Sequence, residues 1–283
     1  MLKKRINPLL AKELRTRMRN WRTFGMISLY LLALGGFAVL VFLSNFYMFS
    51  TGYNSMAQIG RNLFTFLAVA QFLIVIYLVP ALAGNAISGE KERQTIDLLT
   101  CTQLTPFQIV TGKLTATLST VVLFIIASLP LYGFVFLLGG VSPLEVLGLF
   151  VLILAVALVV GCWSLMFSAF FRRTVAAIIA SYALLIFMLG GSTLLFTLLT
   201  AITMRTQGTA PFFLIMVINP LTLLGWLFPE FFSDIVNSIN SNWFQGGLQI
   251  WHLALLVQGV LAALSLRLAT RAVNPLLKGK RKG

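Results

Sequence analysis

Charge is scarce in this sequence. Of its 283 residues only 10% are charged and only 7 are acidic, against about a quarter charged in an ordinary soluble domain. Histidine occurs once, as His252, and cysteine twice, as Cys101 and Cys162. A single histidine cannot furnish the ligand set of a metalloprotease, commonly two histidines and a carboxylate. Beside Trp251 it reads as an interfacial residue, and no Gly-x-Ser-x-Gly turn or paired acid joins it in a hydrolase site. The two cysteines form neither a disulfide framework nor a metal-ligand spacing, and both read as structural thiols. A phosphate-binding loop is missing too. Gly84 and Gly89 have suitable spacing, but Glu90 and Lys91 follow, so a carboxylate stands where the phosphate-binding lysine should. Gly112-Lys113 is followed by Leu114, not by the Ser or Thr that holds magnesium. The chain is therefore not expected to hydrolyse ATP or to bind a cofactor or metal of its own.

Hydrocarbon is what the sequence has: 59% of residues are hydrophobic. Crossing roughly 30 Å of lipid takes about 20 helical residues. Apolar runs of that length, uncharged except for Glu145 and Arg267 near run ends, recur at 24–43, 63–83, 114–138, 144–170, 175–199 and about 249–268. They are continuously apolar, whereas a transmembrane barrel needs short segments of alternating polarity. The expected fold is an all-α polytopic membrane protein with six transmembrane helices, and neighbouring helices can absorb Pro80, Pro130 and Gly161 within the spans. No span interior carries an acid or a paired charge, which an ion-coupled secondary transporter would normally keep there. The polar residues inside the spans, Gln71, Ser119, Thr120, Ser164, Ser168, Ser181, Ser192 and Thr193, read as helix-packing groups, and Ala176, Ala180 and Gly190 as sites of close helix contact.

The net charge of +14 raises the possibility of a nucleic-acid partner, but the positions of the basic residues argue for membrane topology instead. All but Arg61 and Arg205 of the 21 fall before the first run, after the second, after the fourth, or at the end of the sixth and beyond it. The positive-inside rule then places both termini in the cytoplasm, and the same cations anchor anionic lipid. The first apolar run is too long for a signal peptide and lacks a small-residue cleavage site, so it reads as a retained span. Within residues 1–22, the segment 7–21 has the pattern of an amphipathic helix lying on the membrane. Asn7 caps it, Leu10, Leu14, Met18 and Trp21 recur on one face, and Lys12, Arg15, Arg19 and Arg22 on another. The segment 200–248 lies outside. It contains two short apolar pieces broken at Asn219-Pro220, expected as re-entrant or interfacial helices before span six. Glu145, Glu230 and Asp234 read as interfacial or solvated carboxylates.

The cytoplasmic loop 84–113 holds the densest mixed charge. Ser88 is a candidate cap for a short helix with Glu90 and Glu92 in its first turn, followed by a possible Arg93–Asp97 pair. Thr105-Pro106-Phe107-Gln108 then matches a capping box with proline at the first helical position, so a second helix is expected to run through Lys113 into span three.

The stretch from Ile87 through Ser-Gly-Glu-Lys-Glu-Arg-Gln-Thr-Ile-Asp-Leu to Leu99, followed by Leu104-Thr-Pro-Phe-Gln-Ile-Val-Thr-Gly-Lys-Leu, resembles the signature after the second span of ABC-2-type transporter permeases. The layout of six spans and a long segment before the last is also similar. The sequence departs from that pattern at Gln94, where glycine is common, and at Asp97, where glutamate is common. The resemblance implies a single transmembrane domain over 1–283 that serves as the permease subunit of an ATP-binding cassette exporter in the cell membrane, a bacterial plasma membrane being expected. ATP and Mg would be held by separate ABC ATPase subunits, and a second permease subunit, identical or related, would complete the pathway. It further implies that Glu90, Lys91, Glu92, Arg93, Thr95, Asp97 and Leu98 form an ATPase-coupling helix, with Thr105, Pro106, Gln108 and Lys113 joining it to span three. Membrane lipid is the expected partner of Lys12, Arg15, Arg19 and Trp21, and no nucleic acid is expected. The alternative is a non-transporting membrane anchor that recruits a cytoplasmic protein through the same loop. The spans are too generically apolar to name a substrate.

Overall fold

The computed structural model of the chain describes residues 21–50, 55–94, 105–203, 213–228 and 250–273. Of the expected surface helix over 7–21, residues 7–20 with Lys12, Arg15 and Arg19 lie outside the described residues, as do the loop residues Thr95, Asp97 and Leu98. Every regular element among the described residues is helical. In chain order these are α1 (Trp21–Ser50), α2 (Met56–Glu92), α3 (Pro106–Leu138), α4 (Pro143–Phe170) and α5 (Thr174–Ile186). A π-helical segment (Phe187–Gly191) leads into α6 (Ser192–Thr203), and α7 (Phe213–Ile218), a 3-10 segment (Pro220–Trp226) and α8 (Ile250–Val273) follow. Among the described residues, six helices are long and apolar enough to cross a membrane: Phe24–Phe46, Met56–Glu92, Pro106–Leu138, Pro143–Phe170, Thr174–Leu199 and His252–Val273. They coincide with the six apolar runs, because an isolated backbone in lipid must satisfy its own hydrogen bonds and a helix does so within one segment.

The chain forms two compact units. The first comprises residues 1–82 and 104–157, the second 83–103 and 158–283. In the first, α1 packs on α3 through edge-to-face pairs of Tyr30 with Phe124 and Phe42 with Phe134. Tyr132 of α3 lies edge-on to Phe64 and Phe150. Gln71, wholly buried, donates to the Ser128 hydroxyl at 3.1 Å and accepts from the Tyr132 hydroxyl. This is the packing use expected of a polar group inside a span. The turn between α3 and α4 has Gly139 and Gly140 at φ of 81° and 84°, and it closes against α2 where Gly60 leaves room for the Gly139 carbonyl. In the second unit, α7, the 3-10 segment and α8 pack together, and α6 packs on α7.

Three local expectations change. Ser88 does not start a helix: α2 runs unbroken through it to Glu92, and the Ser88 hydroxyl donates to the Gly84 carbonyl at 2.6 Å. A serine whose hydroxyl bonds back one turn is a continuing-helix serine, not a cap, and burial against α4 keeps the helix formed there. Glu90 and Glu92 therefore sit in the last turn of α2 instead of the first of a new helix. The second change concerns Arg61. It lies within α2, not in a loop, and donates from Nη1 to Glu145 Oε2 at 2.9 Å. Finally, Gly190 of span five does not meet a neighbour as expected. A Cβ on Gly190 would touch nothing within 4 Å, while Ala177 is the fully buried alanine and Gly84 is the residue that admits α5, at Ile178.

Candidate functional site

The end of α2 is assembled from two facing helix termini. α4 finishes at Phe170 and α5 begins at Thr174, so the turn between them presents four unsatisfied carbonyls on one side and four unsatisfied N–H groups on the other. Arg173, the N-cap of α5, makes no side-chain cap hydrogen bond. Glu92 supplies it from a distance of 82 residues in sequence. Its Oε2 accepts from the Thr174 backbone N–H at 3.0 Å and from the Thr174 hydroxyl at 2.7 Å. The preceding residue, Lys91, donates to the Ala169 carbonyl at the end of α4. A cation thus meets the negative end of one helix and a carboxylate the positive end of the next, the favourable arrangement for both dipoles.

One turn back, the Ser168 hydroxyl accepts from the backbone N–H groups of Ile87 at 3.0 Å and Ser88 at 2.8 Å. Gly84 brings α2 against α5, since a Cβ there would lie 3.1 Å from Ile178 Cγ1. The last three turns of α2, the end of α4 and the start of α5 consequently form one packed body within the second unit.

α2 is 37 residues long, or about 55 Å at the helical rise, and exceeds the hydrocarbon core of about 30 Å. Its final turn therefore lies beyond the apolar span ending near Ala83. There the Thr174 hydroxyl, and then its N–H, hold the exposed Glu92 carboxyl below the ordinary carboxylate range, with Arg173 and Arg93 acting in the same direction. α2 ends at Glu92, and in the turn that closes it Gln94 has a φ of 57°, in the left-handed region. This is the position where the resembling permeases commonly carry glycine, and a helix that stops in that conformation ordinarily uses glycine.

Of the predicted coupling residues, Glu90, Lys91, Glu92 and Arg93 fall together on this terminus, in the second unit. Thr105, Pro106, Gln108 and Lys113 belong to the first. Here the capping box is formed: the Thr105 hydroxyl accepts from the Gln108 N–H at 3.3 Å, and Gln108 Oε1 accepts from the Thr105 N–H at 3.0 Å. Pro106 opens α3, which continues through a buried Lys113 into the third span. Trp21 opens α1 and is 86% exposed, a placement suited to an aromatic at a membrane interface.

A second polar centre had no sequence signal beyond the Asn-Pro break. Asn219, fully buried, donates from Nδ2 to Ser192 Oγ at 2.9 Å and to the Leu189 carbonyl at 3.3 Å, in and just after the π segment. Its Oδ1 accepts from the Leu221 N–H at 2.9 Å and so caps the 3-10 segment. Gln258 of α8 donates to the Asn219 carbonyl at 3.1 Å. One asparagine thus ties spans five and six to the broken helix between them. Among the described residues no group of three or more His, Cys, Asp or Glu gathers as a metal site.

A comparison with curated proteins found no match. The family model described as ABC-2 family transporter protein matches residues 8–269, which takes in the first five spans, all but the last four residues of the sixth, the α2–α3 loop and the Asn219 centre. The six-helix architecture and that match agree: this multi-pass membrane chain belongs to the ABC-2 family of transporter proteins.

Proposed function

We propose that the chain is the exporting permease subunit of an ABC transporter, driven through the segment 90–98 by a separate ATPase that holds ATP and Mg. In this reading both termini and the α2–α3 loop are cytoplasmic, as the distribution of basic residues favours. Two permease subunits and two ATPases make the working assembly. The observation that carries the reading is the built terminus of α2. Its mixed charges are anchored to α4 and α5 by Lys91 and Glu92, while Glu90 and Arg93 flank that anchor. A rigid, charged terminus of this kind suits a protein partner better than a passive return to the bilayer.

ATP binding and closure of the ATPases would push on this terminus. The capping box at Thr105 makes α3 rigid from its first residue, so displacement at Thr105–Lys113 would pass into span three. The test is purification of the tagged chain with its copurifying proteins, followed by reconstitution into vesicles. A transporter brings down an ABC ATPase and moves copurifying lipid or small molecules across the bilayer only with ATP and Mg. An anchor brings down a cytoplasmic protein and moves nothing, and that result would refute the proposal.

A further inference from the structure

We infer that Lys91 and Glu92 act as a clasp that delivers the ATPase stroke to span five, by a route separate from the helix leading into span three. The inference rests on the permease reading above and adds to it a second output and the residues that carry it. Three observations support it. Glu92 accepts both donors of Thr174, the first residue of α5, and Lys91 donates to Ala169 at the end of α4. α2 and α5 also approach closely at Gly84 and Ile178, where a Cβ would lie 3.1 Å from Ile178 Cγ1 and 3.4 Å from its Cα, so close packing leaves little slack to absorb a displacement of the α2 terminus. Further along, span five contains a π-helical segment over Phe187–Gly191. Such segments mark places where a helix changes register or bends, so a push at Thr174 has an element in the same span on which to act.

The chemistry also explains why the two charges stand in this order. Exchanging them would set a carboxylate against the carbonyl end of α4 and an ammonium against the N–H end of α5, and both contacts would become repulsive. Glu92 and Lys91 are positioning residues. They touch no transported molecule and act through the helix ends that they hold.

The test has two parts. In the permease alone, in nanodiscs, hydrogen exchange at the amides 174–177 is measured for the native chain, Glu92→Ala, and the charge-exchange pair Lys91→Glu with Glu92→Lys. Loss of the cap is expected to speed exchange about fivefold, the effect of a typical missing N-cap, and the exchanged pair more. Thr174→Ser keeps both donors and is expected to match the native chain. Unchanged exchange in both Glu92→Ala and the exchanged pair overturns the clasp, whatever the chain's function.

In the complex with its ATPase, exchange is compared with and without ATP–vanadate at 105–113 and at 174–191. The native complex should respond in both segments. Thr174→Pro, which removes both donors to Glu92 at a first helical position where proline is accommodated, should keep its ATPase and the response at 105–113 while losing that at 174–191, and Thr174→Ser should keep both. Retention of both responses in Thr174→Pro refutes the separate route and leaves the transporter reading standing. Absence of any nucleotide response in the native complex refutes the transporter reading and the stroke together.

Discussion

Replacing Asn219 with alanine isolates the centre that joins spans five and six to the helix between them. The substitution removes the cap of the 3-10 segment, worth about 1 kcal/mol, and two donor bonds, to Ser192 Oγ and the Leu189 carbonyl. Side-chain bonds between helices of membrane proteins average about 0.6 kcal/mol each. Neither former acceptor is orphaned. The Thr193 hydroxyl still donates to the Leu189 carbonyl at 2.8 Å, and the Ser192 hydroxyl still donates to the Met188 carbonyl. The large penalty for a buried unpaired group is therefore avoided, and the expected loss is about 2 kcal/mol. Ser192→Ala removes one acceptor and should cost about 0.6 kcal/mol. Asn219→Asp keeps the cap acceptor but turns a carboxylate toward two oxygen atoms in a fully buried site, and should cost several kcal/mol. Steric trapping in bicelles, or reversible unfolding in mixed micelles, would order the native chain, Ser192→Ala, Asn219→Ala and Asn219→Asp by decreasing stability. A change below about 0.5 kcal/mol in Asn219→Ala, or an aspartate variant more stable than the alanine variant, would refute the argument.

Further outcomes follow from single contacts. Gly60→Ala would drive a Cβ into the Gly139 carbonyl, with Leu138 Cβ at 3.2 Å. Its overpacking cost of about 1–3 kcal/mol should exceed the gain in helix propensity, whereas Gly36→Ala in α1, where a Cβ meets nothing within 4 Å, should gain up to about 1 kcal/mol; thermal shifts of opposite sign in detergent would verify this. Gln94→Gly relieves the positive φ just after α2 and should stabilise by about 0.5–1 kcal/mol, measured the same way. Glu92 has a lowered carboxyl pKa, so its contribution is fully present above its ordinary value of 4.5 and is lost as pH falls through the lowered folded value. Protection at Thr174, corrected for intrinsic exchange, should fall over that acid range in the native chain, and Glu92→Gln should show no such step.

The six membrane spans and the start of α3 were legible in the sequence. Hydropathy is summed over neighbouring residues, and the Thr105–Gln108 box closes over three residues with proline in the next position. The Asn219-Pro220 break was equally local, since a residue preceding proline is biased away from the helical region. Ser88 shows where such reasoning stops. Serine followed by acids is a start signal in isolation, yet the same hydroxyl can bond back one turn, and burial against Ser168 decides between the two.

The pairings that build the site were beyond the sequence for the same reason. Glu92 reaches Thr174 across 82 residues and Arg61 reaches Glu145 across 84, and nothing within either segment names its partner. Span five likewise reads as one uniform apolar run, and only the structure divides it at a π segment held by an asparagine 30 residues from Leu189. The number of membrane-crossing helices and the start of α3 could be read from neighbouring residues, because those depend on lipid transfer and on bonds within one turn. Tertiary structure alone decided which helix end each charge serves, because a carboxylate caps whichever N–H groups packing brings within about 3 Å.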